Sequence, residues 1–201
     1  MKNSFLQQFP DSPSSPWTIF CAGHLARLTL RGPSGTLEIW CAYYPTGGGR
    51  AVEREARQAL TATIAQHCLP PSRALTVLAG DWNFVCSADE RLCITQNSWT
   101  GDRDSHEADH FRDTLLQPFQ FKELQQDNFT YFHPVTASKI DRIYTDHHPA
   151  TQLDHNYHCN TLQHPKGLSK HCPVSFGRAS SMKQRSEDDS ITVSIPQPIK
   201  T

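Results

Sequence analysis

Gly80-Asp81-Trp82-Asn83 closes the apolar run Leu75-Thr76-Val77-Leu78-Ala79 and sets a carboxylate and a carboxamide two residues apart. On a strand, period-two alternation points Asp81 and Asn83 to one side and Trp82 to the other. One group then only accepts hydrogen bonds while the other donates and accepts, a pairing suited to a phosphate and its attacking water. Gly80 permits a tight turn or a close approach of a ligand to the backbone. The same four letters also read as an ordinary turn, because Gly, Asp and Asn are turn formers. Asp141 lies in Ser138-Lys139-Ile140-Asp141-Arg142-Ile143-Tyr144-Thr145, where alternation predicts a strand. A carboxylate in a strand needs a partner, either an arginine in an ion pair or a histidine that it orients. His171, in Gly167-Leu168-Ser169-Lys170-His171-Cys172-Pro173-Val174, is led by a turn into a final apolar strand and faces a site or the core.

The elements that must position these residues follow in order. Leu75 to Ala79 is short and bounded, which fits a core strand covered on both faces better than a helix. Before it, Trp17 to Cys21, Leu25 to Leu30 and Leu37 to Pro45 read as two or three adjacent strands, with Gly32-Pro33-Ser34-Gly35 as a hairpin connection. Gly47-Gly48-Gly49 breaks the last of them. Ala51 to Cys68 has apolar residues at helical spacing and ends at Pro70-Pro71. Its arginines, with Arg50, Arg54 and Arg57, suit a solvated helix face better than a phosphate backbone. Ser87 to Asp104 reads as an irregular loop, Ser105 to Phe119 as a helix capped by Ser105, and Phe129 to Phe132 as a strand. The resulting order predicts a mixed sheet with a covering helix.

Bulk properties narrow the function classes. The 201 residues favour one domain, and a formal net charge of -1 argues against bulk attraction to nucleic acid or an anionic membrane, so any polyanion must meet a local patch. The seven cysteines are odd in number and without C-x-x-C spacing, which points to buried thiols, a reducing compartment and an intracellular protein, cytoplasmic or nuclear. No apolar run is long enough to span a membrane. His147, His148, His155, His158 and His164 match no zinc spacing and read as surface loop histidines. Residues 1–16 and 179–201, rich in Pro and polar residues, are expected to be disordered around a domain at 17–178.

Three motifs in one order, Gly80-Asp81-Trp82-Asn83, Lys139-Ile140-Asp141-Arg142-Ile143-Tyr144 and Leu168-Ser169-Lys170-His171-Cys172-Pro173-Val174, together resemble the endonuclease/exonuclease/phosphatase superfamily. Its retroelement-type members look most similar. The family's G-D-x-N falls on Gly80, Asp81 and Asn83, its strand aspartate on Asp141, its S-D-H-x-P-V on Ser169, His171, Pro173 and Val174, and its tyrosine before a proline on Tyr43. The resemblance spans Trp17 to Phe176. It implies an α/β fold, a four-layer α+β sandwich of two packed mixed sheets flanked by helices. It also implies phosphodiester hydrolysis with Mg2+ or Mn2+, acting on nucleic acid (DNA) or another phosphodiester. By that resemblance, Asp81 positions or deprotonates water and Asn83 orients it or holds a phosphate oxygen. Asp141 holds the tautomer of His171, which stabilises the charge at phosphorus, and Tyr43 donates to the phosphate.

The chain departs from the family pattern twice. The strands that carry the family's Asn and metal-binding Glu have no counterpart, which implies a domain truncated at its N-terminus. The aspartate of S-D-H is Lys170, an ammonium with no acceptor. A like charge beside a divalent cation opposes its binding. Three readings follow: a degenerate domain that keeps the fold, a working nuclease or phosphodiesterase completed by upstream sequence or another chain, and an inositol-phosphate-type phosphatase.

Overall fold

The computed structural model describes residues 3–46, 51–71, 73–101, 103–126, 128–146, 157–162 and 168–178. Its centre is β4 (Leu75–Asp81), which lies parallel to β3 (Gly35–Tyr43) and antiparallel to β10 (Asp141–Thr145). Parallel neighbours need a crossover, and α2 (Ala51–His67) supplies it. Outside β3 come β2 (Leu25–Gly32) and β1 (Trp17–Cys21), and outside β10 comes β7 (Lys122–Glu123), completing the order β1-β2-β3-β4-β10-β7.

Cross-strand register decides which side chains share a face. Trp40, Leu78 and Tyr144 stand in one row, and with Trp82, Tyr44, Phe111 and Ile64 they form the main core beneath α2 and α3 (Ser105–Phe111). Gly80 belongs to that face for a packing reason: a Cβ there would meet the Ala42 carbonyl oxygen at 2.1 Å, so β3 and β4 could not approach as they do. The opposite face carries Tyr43, Asp81 and Asp141 in one row.

The second layer is an interrupted sheet. One piece has the order β6-β5-β9-β8, from β5 (Arg91–Cys93), β6 (Ser98–Trp99), β8 (Tyr131–His133) and β9 (Thr136–Ser138). The other is the antiparallel pair β11 (Tyr157–Thr161) and β12 (Val174–Arg178). A bridge between Tyr131 and His171 links them. Cys159 and Val174 pack on Ile143, Val77 and Ala79, so this layer covers the β4–β10 half of the large sheet. Trp17, Ile19, Cys41, Tyr43 and Leu75 fall on the same face and stay exposed, Ile19 to 71%. The fold is therefore the expected two-sheet α/β sandwich, with β4 covered fully on one side and partly on the other.

Several local expectations change. Residues 3–16 carry a short helix, α1 (Asn3–Leu6), and the Asp11 N–H donates to the Arg31 carbonyl at 3.1 Å, so the segment's backbone follows β2 despite its composition. The stretch 87–104 contains β5 and β6 and a 3-10 turn at Ala88–Glu90, where Glu90 accepts the N–H groups of Cys86 and Ser87. The helix from Ser105 is preceded by Asp104 in the cap position and passes into a π-helical turn at Arg112–Leu116. Arg57 is neither solvated nor free for phosphate: it is 2% exposed, pairs with Glu107 at 2.6 Å and donates to the Pro45 carbonyl at 3.0 Å. The tail after Arg178, Gly47 to Gly49, and His147, His148, His155 and His164 lie outside the described residues. Among the described residues no helix is long and apolar enough to cross a membrane.

Candidate functional site

Asp81 and Asp141 are register partners at the ends of β4 and β10, so the fold places their carboxylates side by side. His171 arrives from the turn before β12. Its backbone N–H donates to the Ser169 hydroxyl oxygen at 2.9 Å, and the next amide, Cys172 N–H, donates to the Thr130 carbonyl at 2.7 Å. The imidazole Nδ1 then lies 3.0 and 3.2 Å from the two oxygens of Asp141. Its Nε2 is 3.9 Å from Asp81 Oδ2. Side-chain exposure rises outward, from 11% at Asp81 through 20% at Asp141 to 36% at His171. A cleft of about 380 Å³ opens beside the three groups, floored by Ala79, Ile143 and Val174.

These contacts settle which partner Asp141 has. Arg142, the neighbouring arginine in sequence, points to the other face, where it is fully buried against Glu90 and Glu123 and donates to the Lys139 carbonyl at 2.8 Å. Asp141 therefore orients a histidine, and its carboxylate selects the tautomer with the proton on Nδ1 and a free lone pair on Nε2. Burial, and then the charge of Asp141, push Asp81 up from 3.8 to about 6, although the Asn83 N–H and His171 pull the other way. A carboxyl titrating there can exchange a proton close to neutral pH.

Asn83 and Tyr43 sit differently. The strand ends at Asp81, and Asn83 adopts φ 53°, so alternation no longer applies to it. Its backbone N–H donates to Asp81 Oδ1 at 3.0 Å, and its side-chain amide donates to the Tyr44 carbonyl at 2.7 Å. Asn83 thus braces Asp81 and the end of β3 and is not among the residues that line the cleft. Tyr43 is beside Asp81 in register but outside the cleft, with its ring stacked on His24 at 5.6 Å. Lys170 is exposed next to His171. Thr130, which sequence reading missed, bonds both flanks of the site. A hydroxyl binding backbone amides leaves no periodic signal in sequence.

The donor set fits Mg2+ or Mn2+ poorly. Asp81, Asp141 and His171 offer ligand atoms within 4.8 Å of one another. Mg2+, however, asks for near-octahedral oxygens at about 2.1 Å. Asp81 and Asp141 are the two carboxylates that line the cleft, Asp141 already faces the imidazole and Asp81 Oδ1 the Asn83 N–H, and the ammonium of Lys170 next to His171 opposes a cation.

No protein-family model matches the chain, and no curated protein does. Solved structures do match. The chain is similar over 77% of its length to a 3'-5' exonuclease (NExo) from Neisseria meningitidis, at 16% identity and a TM-score of 0.56. It is similar over 78% to an AP endonuclease from Archaeoglobus fulgidus, at 13% identity and 0.54, and over 77% to a beta toxin from Staphylococcus aureus, at 13% and 0.50. It spans 64%, 65% and 57% of those chains, respectively.

Proposed function

The chain has the fold of the endonuclease/exonuclease/phosphatase superfamily, and from that premise we propose that it is a phosphodiester-binding domain with little or no turnover of its own. The observation that carries this reading is the split within the site. The proton-handling groups are assembled, with Asp141 on His171 Nδ1 and Asp81 3.9 Å from Nε2, while the described residues bring only these two carboxylates to the cleft and Lys170 sets an ammonium next to His171. In this reading the Lys170 ammonium meets phosphate oxygens, the lone pair of His171 Nε2 accepts from a water or hydroxyl beside them, Asp81 donates or accepts a proton there, and the exposed Tyr43 phenol contacts the flanking chain. Nucleic acid is the first ligand to test, since one neighbouring structure is a 3' phosphatase from Neisseria bound to a product DNA hairpin.

The test is plasmid nicking by the purified chain with Mg2+ and with Mn2+. No cleavage above the protein-free control is expected, and Lys170→Asp alone restores little, because one carboxylate does not complete an octahedral set. Magnesium-dependent nicking by the unaltered chain, abolished by His171→Ala, overturns the reading.

One observation favours a second reading, a working nuclease. Among the described residues Trp17, Ile19 and Cys41 leave part of a sheet face exposed, although Leu28 and Leu30 on that face are buried, and strands from upstream sequence or another chain would both cover it and bring carboxylates to the cleft. A Lys170→Asp chain extended by strands bearing an Asn and a Glu should then nick DNA with divalent metal, and lose that activity on Asp81→Ala.

A further inference from the structure

Thr130 is fully buried, and each of its polar groups is used at the site. Its hydroxyl oxygen accepts the N–H of Asp141 at 2.9 Å and the N–H of Ile140 at 3.1 Å. Its carbonyl accepts the Cys172 N–H at 2.7 Å, and its own N–H donates to the Ser138 carbonyl at 3.0 Å. One residue on, Tyr131 bridges to His171, with ring centroids 4.9 Å apart, and the Phe132 N–H donates to the Lys170 carbonyl at 2.9 Å. Residues 130–132 therefore grip the backbone immediately around Asp141 on one side and around His171 on the other.

We propose that Thr130 is the positioning residue of the Asp141–His171 pair. Asp141 and His171 come from β10 and from the turn before β12, and neither segment pairs with the other. Their spacing must be set by something bonded to both. The Thr130 hydroxyl fixes the point where the Asp141 side chain leaves the backbone, and the carbonyl of the same residue fixes the neighbour of His171. The Nδ1 distances of 3.0 and 3.2 Å are then held by a residue bonded on both sides of the pair, with Tyr131 and Phe132 adding to the His171 side. Valine has nearly the shape of threonine but no acceptor, so its substitution removes the hydroxyl half of the link, leaves the Ile140 and Asp141 N–H groups without that acceptor and keeps the Cys172 bond to the backbone carbonyl.

The inference rests on the reading of Asp141 and His171 as the functional pair, but its test reads the imidazole itself. In chain labelled with 15N-histidine, the ring nitrogens of His171 report the tautomer directly. The unaltered chain should show one neutral tautomer, protonated at Nδ1. Thr130→Val should lose that single state in favour of a mixture, while Thr130→Ser, which keeps the hydroxyl, should retain it. Unchanged His171 signals in a folded Thr130→Val chain overturn the proposal. If Thr130→Val does not fold, Thr130→Ala is read the same way, since the space it vacates admits a water for the two amides. An intact tautomer with no binding of DNA would count against the phosphodiester reading and leave the positioning role standing.

Discussion

Replacing Asp81 by Asn should stabilise the chain at neutral pH, which is unusual for a change in a site. The carboxyl of Asp81 titrates at 3.8 when free and at about 6 in the fold, chiefly through burial and then through Asp141. The folded state thus holds the proton more tightly than the unfolded one. Stability from this group is fully present below the unfolded value and is lost as pH rises through about 6. Moving a carboxyl over that interval corresponds to roughly 3 kcal/mol. Water reaching its 11% exposed side chain and the imidazole 3.9 Å away soften the cost, leaving about 1–2 kcal/mol at pH 7–8. Asn is nearly isosteric and its oxygen can still accept the Asn83 N–H, so little else is lost. Urea unfolding of both chains across the pH range tests this. Asp81→Asn should gain about 1–2 kcal/mol at pH 7.5, or several degrees in Tm for a chain of this size, with the gain fading towards pH 4. A difference that does not change with pH refutes the electrostatic account of Asp81.

Three further outcomes follow from the packing. Arg142→Met leaves Glu90 and Glu123 without their shared guanidinium and should cost about 3–5 kcal/mol in urea unfolding, with Arg142→Lys recovering only part because it lacks the fork. Gly80→Ala drives a Cβ to 2.1 Å from the Ala42 carbonyl and should destabilise by about 2–3 kcal/mol, read from the thermal midpoint, while disturbing the Tyr43–Asp81 register. Ile19→Glu, at a position 71% exposed on the uncovered sheet face, should change stability by no more than about 0.5 kcal/mol and reduce self-association in analytical ultracentrifugation.

The parts of the molecule legible in sequence are those governed by alternation. β4 announces itself by a short apolar run, β3 and β10 by period two, and α2 by apolar spacing, and Asp81 and Asp141 inherit their faces from those strands. Reasoning from alternation stops working where strands stop. Asn83 leaves the pattern at φ 53° and turns its amide to Tyr44, which no spacing foretells. Charged residues are equally opaque. Arg57 lies on a helix that looks solvated, yet Glu107, 50 residues on, gives it a buried partner, and the choice between an arginine and a histidine for Asp141 is decided only when Arg142 meets Glu90 and Glu123. A buried charge is placed by a partner from another element, and only the assembled fold brings that partner near.

The ionisation of Asp81 also bears on what the cleft binds. A phosphodiester entering the cleft beside Asp81 brings a second negative charge near its carboxylate, and two like charges about 4 Å apart repel by up to about 4 kcal/mol at an intermediate dielectric. Below about pH 6 the proton held by Asp81 removes the repulsion and offers a donor to a phosphate oxygen. Binding of a labelled single-stranded DNA at fixed salt should therefore tighten about tenfold or more between pH 7.5 and pH 5. The discriminating measurement is Asp81→Asn at pH 7.5. If the repulsion arises from Asp81, that substitution should bring the neutral-pH affinity close to the low-pH affinity of the unaltered chain and flatten the pH dependence. If the substituted chain keeps the full pH dependence, Asp81 does not set it and does not face the bound phosphate.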